Sequence, residues 1–374
     1  MILLLPSATI TDWVLEFTLN RPLRGKMTPR GFALGSIWKP LSHALFPKTT
    51  NPSILIESMA LSEIETDQVA KLIGDLQSNS AESAALQLIS CGPMAIRTLR
   101  DFLLFGKPSN VFQPRYLAVK VLARLGAKEV LVEFLKSARE IADPEVRLGE
   151  EAVKEIAARE LASWRTDDIF ALILDLIRTR PLAGFVEAIG EFKRPEAIPF
   201  LIEALADDIC RTAAEEALKN IYGFACPLLI AAVSTPVPDI TNESPSSIRR
   251  RRSAARLLAQ GGIPGIEWHM LAPLLDEEDP TILTTISSIG VAIASPREKE
   301  KIALRMLALL PRIEWPLQDD VESVLVRCFD ECQSPIDQEI SSHKFSSGAK
   351  PVWDPVLLAL LRIKRTAEEQ NHDP

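Results

Sequence analysis

Apolar residues in this chain recur at helical spacing, and the helical runs come back in pairs. An amphipathic run, a small or glycine-containing turn, a second apolar run and an acidic turn follow one another several times. Pro114-Arg115-Tyr116-Leu117-Ala118-Val119 runs on to Gly126. Phe185-Val186-Glu187-Ala188-Ile189-Gly190 and Cys210-Arg211-Thr212-Ala213-Ala214, the latter ending at Gly223, repeat the theme. Gly92, Gly126, Gly190 and Gly223 are 34, 64 and 33 residues apart. A period of roughly 33 residues, doubled once, is the signature of a helical solenoid.

The second run of each unit opens alike: Ala95-Ile96 with Leu99, Ala197-Ile198 with Leu201, Ala225-Cys226 with Leu229. Alanine at the tightest point and a long apolar residue four positions on predict one buried stripe per helix. Ser62-Glu63-Ile64-Glu65 has the spacing of a capping box and precedes Val69, Leu72, Ile73 and Leu76. The turns Asp143-Pro144-Glu145, Asp207-Asp208 and Asp276-Glu277-Glu278-Asp279-Pro280 are acidic. Aspartate at a helix start accepts orphan N–H bonds, and proline fits the first helical position, so these turns read as caps. None has the alternating oxygen spacing of a calcium loop.

Three segments follow from the pattern. Residues 1–60 are an irregular basic cap, residues 61–340 the helical array, and residues 341–374 a linker with a C-terminal capping helix. The array carries a loop insertion at 234–247, rich in proline and serine. In the first segment, Arg21, Arg24, Lys26, Arg30, Lys39 and Lys48 fall among Phe32, Trp38 and Phe46, with no acid between Glu16 and Glu57. That stretch reads either as a strap over the first repeat or as an anion-binding arm.

The repeats resemble HEAT repeats, specifically the short bacterial type also seen in phycobilin lyases. The resemblance rests on Cys210-Arg211-Thr212-Ala213-Ala214 with Leu218, on Arg252-Ser253-Ala254-Ala255 with Leu257 and Leu258, and on Ala197-Ile198-Pro199-Phe200-Leu201. It implies scaffolds that bind other macromolecules, with a minority of members acting on chromophores or DNA.

Composition narrows the function only slightly. The chain has 374 residues, 47% of them apolar and a net charge of −8. That acidity counts against a dedicated nucleic-acid binder. Five cysteines without a close-spaced framework predict a reducing, cytoplasmic setting. Asn220–Pro238 and Thr281–Ser295 are the longest apolar stretches; both are too short or too broken to span a bilayer and fit buried helices. Met1-Ile2-Leu3-Leu4-Leu5-Pro6 lacks the basic start of a secretory signal.

Candidate chemistry is sparse. Arg249-Arg250-Arg251-Arg252-Ser253 is the densest charge run. It reads as an anion or acidic-partner site with a modifiable Ser253, or as the first turn of a repeat helix. In the second reading Arg252 takes the repeat's arginine position and Asp207-Asp208 is the balancing acid. Trp315 and Trp353, in irregular segments, are the tryptophans expected to be exposed as partner anchors, while Trp164 and Trp268 fill gaps between repeats. Cys328 and Cys332, with His343, form at most half a zinc site and fit apolar packing. His269 is expected near a helix start and partly buried. No phosphate loop, nucleophile elbow or zincin motif is present.

The expected fold is therefore all-α: a right-handed α–α superhelix, a HEAT/ARM-like solenoid of about seven to nine helix pairs with an irregular N-terminal segment. The expected function is a non-catalytic scaffold or adaptor that binds a protein or peptide in a concave groove. No catalytic residue, cofactor or metal is predicted. The partner-binding candidates are Arg249, Arg250, Arg251, Arg252, Trp315 and Trp353. A nucleic-acid binder would need Arg97, Arg100, Arg115, Arg147, Arg211 and Arg249–Arg252 in one stripe. A chromophore-lyase-like enzyme would need a deep apolar pocket.

Overall fold

A computed structural model describes residues 67–239, 242–346 and 354–372. The N-terminal segment, the Ser62 capping box and Trp353 lie outside the described residues. Among those described there are 18 α-helices and no strands. The fold is an all-α solenoid.

Helix α1 covers 67–75, followed by α2 (Ala81–Ser90), α3 (Met94–Phe105), α4 (Gln113–Arg124), α5 (Lys128–Lys136) and α6 (Pro144–Ala162). Then come α7 (Asp167–Thr179), α8 (Ala183–Gly190), α9 (Ile198–Ala204), α10 (Arg211–Asn220), α11 (Tyr222–Ser234) and α12 (Pro245–Gly261). The series closes with α13 (Trp268–Leu271), α14 (Pro280–Ile293), α15 (Pro296–Leu309), α16 (Trp315–Arg327), α17 (Phe329–Ser346) and α18 (Pro355–His372).

The chain divides into two compact units, residues 1–157 and 158–374. In the first, α2 packs on α4, α3 on α5, and α4 on both α3 and α5. In the second, α8, α10, α12, α14, α16 and α18 pack in succession as one layer. Its other layer contains α9, α11 and α13, then α15 and α17. Most helices therefore meet a sequence neighbour in the opposite layer and the next-but-one helix in their own. This is how a repeat that cannot bury its face alone builds a continuous core.

The predicted stripe is the core. Ala95, Leu99, Ala197, Leu201, Ala225 and Leu229 are all buried. The acidic turns cap helices as expected. Asp143 Oδ1 accepts from the N–H groups of Glu145 (2.9 Å) and Val146 (3.3 Å). Asp207 Oδ1 accepts from those of Ile209 and Cys210 (2.8 and 2.9 Å), and Asp279 from Ile282 (3.0 Å) ahead of α14. The Ser295–Glu298 capping box starting α15 was not anticipated.

Glycine spacing found the period but not every turn. Gly92 and Gly126 have positive φ (64° and 73°), and each N–H bonds the carbonyl three residues back. The same turn in the second unit is made by Arg165 (φ 51°) and Lys193 (φ 53°), with the same three-back bond. Gly190 serves a different purpose: a Cβ there would stand 2.6 Å from the Cβ of Ala217, so it lets α8 and α10 approach. Gly223 has no such constraint. The insertion is shorter than expected, because α11 runs to Ser234 and α12 begins at Pro245. Likewise α17 continues through Ser341–Ser346, its serine hydroxyls turning back to Asp337 and Glu339 carbonyls.

Candidate interaction surface

The arginine run starts within the second turn of α12, a helix capped by the Ser244 side chain. Helical spacing sends its four side chains in different directions. Arg251 is the largest fully buried side chain, only 2% exposed. Its Nε donates to the Val233 carbonyl (2.7 Å), one amino group to Glu243 (2.6 Å) and the other to Glu277. It joins the end of α11, the 235–244 loop and the acidic turn before α14. Arg250, also buried, donates to the Thr235 carbonyl (3.0 Å). Arg252 makes a forked pair with Asp279 (2.7 and 3.1 Å). Arg249 donates to the Ala206 carbonyl (2.9 Å) and lies 3.7 Å from Asp208, one of the two acids expected to balance the run.

Two expectations are corrected here. Arg250 and Arg251 face inward onto the fold's own carbonyls and carboxylates. Ser253, read as modifiable, is buried rather than presented to solvent. In α12 the repeat's arginine position is also one residue earlier than the motif suggested. Arg115, Arg211 and Arg251 each precede a fully buried alanine by three residues (Ala118, Ala214, Ala254) and a fully buried leucine by seven (Leu122, Leu218, Leu258). Arg211 is part-exposed and pairs with Asp208 (2.8 Å), while the other two are buried. Arg252 does not share that register.

Arg115 shows what the position does. It is 3% exposed and pairs with Glu150 through two bonds (2.8 and 3.0 Å). It also donates to the carbonyls of Phe102 (3.0 Å) and Leu103 (2.8 Å) at the end of α3. The last carbonyls of a helix lack partners and carry the negative end of its dipole, so a guanidinium satisfies both needs. Burial lowers the Arg115 pKa and the Glu150 carboxylate opposes this; a guanidinium stays charged regardless. Of the arginines that a nucleic-acid stripe would require, Arg115, Arg250 and Arg251 are buried, and Arg100 is bound to Glu133 (2.6 and 2.9 Å).

The opposite layer of the second unit has a different surface. Align its helices on the buried pairs Ala197/Leu201, Ala225/Leu229 and Leu271/Leu275, and the solvent-facing positions fall into register. The position before each pair holds Glu196, Phe224 and Met270, all exposed. Two residues into each pair stand Pro199, Pro227 and Pro273. Six residues in stand Glu203, Ala231 and Glu277, the last being the ligand of Arg251. Thus α9 and the turn leading into it present carboxylates where α11 presents apolar side chains.

Helix α11 contains no charged residue between Tyr222 and Ser234. It is not wholly buried, as its composition suggested. Phe224 is 66% exposed, and Pro227 and Ala231 are exposed with it. The first turn of α11 is held beside α13. Tyr222 Oη donates to the Gly262 carbonyl (2.5 Å), and the Cys226 thiol donates to Glu267 Oε2 (3.5 Å). Burial pushes both the Tyr222 phenol and the Cys226 thiol up, so both are neutral donors. Met270, 46% exposed, and the exposed Ile266 continue the apolar surface. Trp268 is buried as expected and donates Nε1–H to Glu298 (3.2 Å), fixing α13 against α15 and its exposed Leu304.

On the acidic side, Asp175 of α7 and Glu203 of α9 are exposed. The two helices meet where Arg178 covers the Phe200 ring at 4.8 Å. A concavity between the last turns of α6 and α8 is lined by Arg159, Ser163, Arg165, Glu187 and Glu191, with Ala162 and Ala188. Its polar, open character does not match the deep apolar pocket of a chromophore site.

Other candidates resolve simply. Trp315 is 81% exposed at the start of α16. His269 is exposed rather than partly buried, its Nδ1 2.6 Å from the Ile266 carbonyl. Cys328 and Cys332 are fully buried, and each thiol donates to the carbonyl four residues back (3.1 Å). The hydrogen bond with Cys328, and then burial, push the Cys332 thiol up. No group of three or more potential metal ligands exists among the described residues, and none of those five cysteines is in a disulfide. No helix of the described residues is long and apolar enough to cross a membrane.

Phe224, Pro227, Ala231 and Met270 were missed because their repeat positions were read only for burial. The available signal was a 13-residue helix with no charge on its solvent face. Among curated proteins, none matches the chain. Residues 148–219, from α6 to α10, match the family described as HEAT repeats. Together with the paired-helix stack, that match supports a HEAT-like repeat protein.

Proposed function

We propose that the protein is a non-catalytic scaffold whose second unit binds a partner protein on the layer formed by α7, α9, α11 and α13. HEAT repeats commonly serve as scaffolds in protein interactions. The observation that carries the reading is the solvent face of α11, which is apolar where the equivalent face of α9 is acidic. A helix that is apolar all round and not buried in its own fold is a partner face. The inward-facing Arg250 and Arg251 move the expected docking site away from the arginine run, and Arg249, Arg252 and Trp315 belong to helices of the other layer.

The test is site-specific photocrosslinking. A photoreactive residue in place of Phe224 or Met270 is expected to capture a discrete partner band in cells. The same residue in place of Arg256, exposed on α12 in the other layer, is expected to capture none. Equal labelling from both layers would sink the assignment of the face.

A further inference from the structure

The face described above has two chemistries side by side, and their registry restricts what fits. Glu196 and Phe224 occupy the same position of successive repeats, and so do Glu203 and Ala231. The odd-numbered helices α9 and α11 pack directly on each other. Neighbouring packed helices lie about 8–10 Å apart. An occupant of the α9–α11 seam therefore meets carboxylates on one flank and apolar side chains on the other, within one helix diameter of about 10–12 Å. Asp175 on α7 adds a carboxylate beyond the Arg178 that covers Phe200, so the carboxylates outnumber the one cation on that flank, and Met270 on α13 extends the apolar one.

We propose that this seam binds a basic amphipathic helical segment of a partner protein. The apolar side of that segment lies on Phe224, Pro227, Ala231 and Met270; its cations face Asp175, Glu196 and Glu203. This rests on the scaffold reading above and adds the chemistry of the partner. An acidic or neutral helix would leave the three carboxylates facing like charge or apolar surface. An extended basic strand would satisfy the carboxylates and leave the α11 face in water. Charge complementarity supplies selectivity and on-rate, and the apolar flank supplies residence.

The test uses the full chain and three labelled synthetic peptides of about 18 residues, or five helical turns. One is an amphipathic leucine/lysine helix, one carries glutamate in place of lysine, and one has the leucine/lysine composition in scrambled order. Binding is read by fluorescence anisotropy at low and at physiological salt. The leucine/lysine helix is expected to bind at least about tenfold more tightly than either control, a difference of about 1.4 kcal/mol. D175K/E203K is expected to weaken it about tenfold and to flatten its salt dependence. F224S/M270S is expected to weaken it at all salt concentrations. All four positions are exposed, and circular dichroism melting verifies that the variants fold.

If the glutamate helix binds equally well and F224S/M270S abolishes both, the face stands and the basic partner class is overturned. If the leucine/lysine helix binds and neither double variant changes its affinity, the seam is not the site, and both readings fall. No saturable binding of the leucine/lysine helix overturns the partner class, while the crosslinking experiment still decides the face.

Discussion

The two units meet the same two local problems with different residues. Both must satisfy the carbonyls at the end of one helix from the start of the next, and both use a buried arginine at one register position. In the first unit Arg115 has one acid, Glu150, and otherwise binds the carbonyls ending α3. In the second, Arg251 has one helix-end carbonyl and two acids, Glu243 and Glu277, from segments on either side of α12. Arg115 is a helix cap with a counterion. Arg251 is a junction on which a loop and a turn both depend. A repeat arginine thus tolerates an insertion: the extra 235–244 segment supplies its own carboxylate to the existing cation.

The largest expected effect tests that difference. Arg251→Ala leaves Glu243 and Glu277 nearly buried without their cation, and removing one partner of such a pair costs about 3–5 kcal/mol. The loss is expected in urea unfolding, with faster amide exchange in residues 235–239 and 276–279 before global unfolding. Arg115→Ala strands a single carboxylate, so about 3 kcal/mol is expected, with no local opening in the second unit. The double variant R115M/E150M sharpens the contrast. It removes both charges and fills the volume, which is often neutral or stabilising. Two α3 carbonyls lose their donor at about 1 kcal/mol each, which offsets most of that gain. Near-wild-type stability is expected. Stability as low as that of Arg115→Ala would show that the helix-end bonds, not the ion pair, carry the site.

Much of the fold was legible in the sequence because burial at 3.6-residue spacing is a local property. The Ala95/Leu99, Ala197/Leu201 and Ala225/Leu229 stripes and the aspartate caps follow from spacing alone. The arginine register was misread by one because Arg251 and Arg252 are adjacent, and only packing shows which points inward. The direction of the run was also illegible. Glu243 and Glu277, which pull Arg251 in, are 8 and 26 residues away on opposite sides. The apolar face on α11 escaped because apolar composition describes a buried helix and a docking helix equally well. What separates them is whether a neighbour covers Phe224, and that is a tertiary fact.

Smaller effects probe the rim of the junction and the second local problem. Arg252 is part-exposed and pairs with Asp279, which already caps α14. Arg252→Ala is expected to cost about 0.5–1 kcal/mol, several-fold less than its buried neighbour. A loss equal to that of Arg251→Ala would erase the distinction between junction and rim.

The smallest effect concerns the left-handed turn that the first unit builds with Gly92 and Gly126 and the second with Arg165 and Lys193. A side chain there costs about 1–2 kcal/mol in the folded state. Glycine in its place loses about 0.5–1 kcal/mol through the entropy of the unfolded chain. Lys193→Gly is therefore expected to stabilise the protein by about 0.5 kcal/mol, read as a small rise in the urea midpoint with unchanged slope. The reverse change in the first unit has the opposite sign. Gly126→Ala meets no steric obstacle, since nothing lies within 4 Å of its Cβ, so the backbone alone sets its cost. That cost is expected to be about 0.5 kcal/mol: left-handed strain of about 1–2 kcal/mol, less the about 0.5–1 kcal/mol gained because alanine reduces the entropy of the unfolded chain. If Lys193→Gly instead destabilises, the lysine side chain holds the turn through its stem on neighbouring surface, and the two units differ in mechanism as well as in residue.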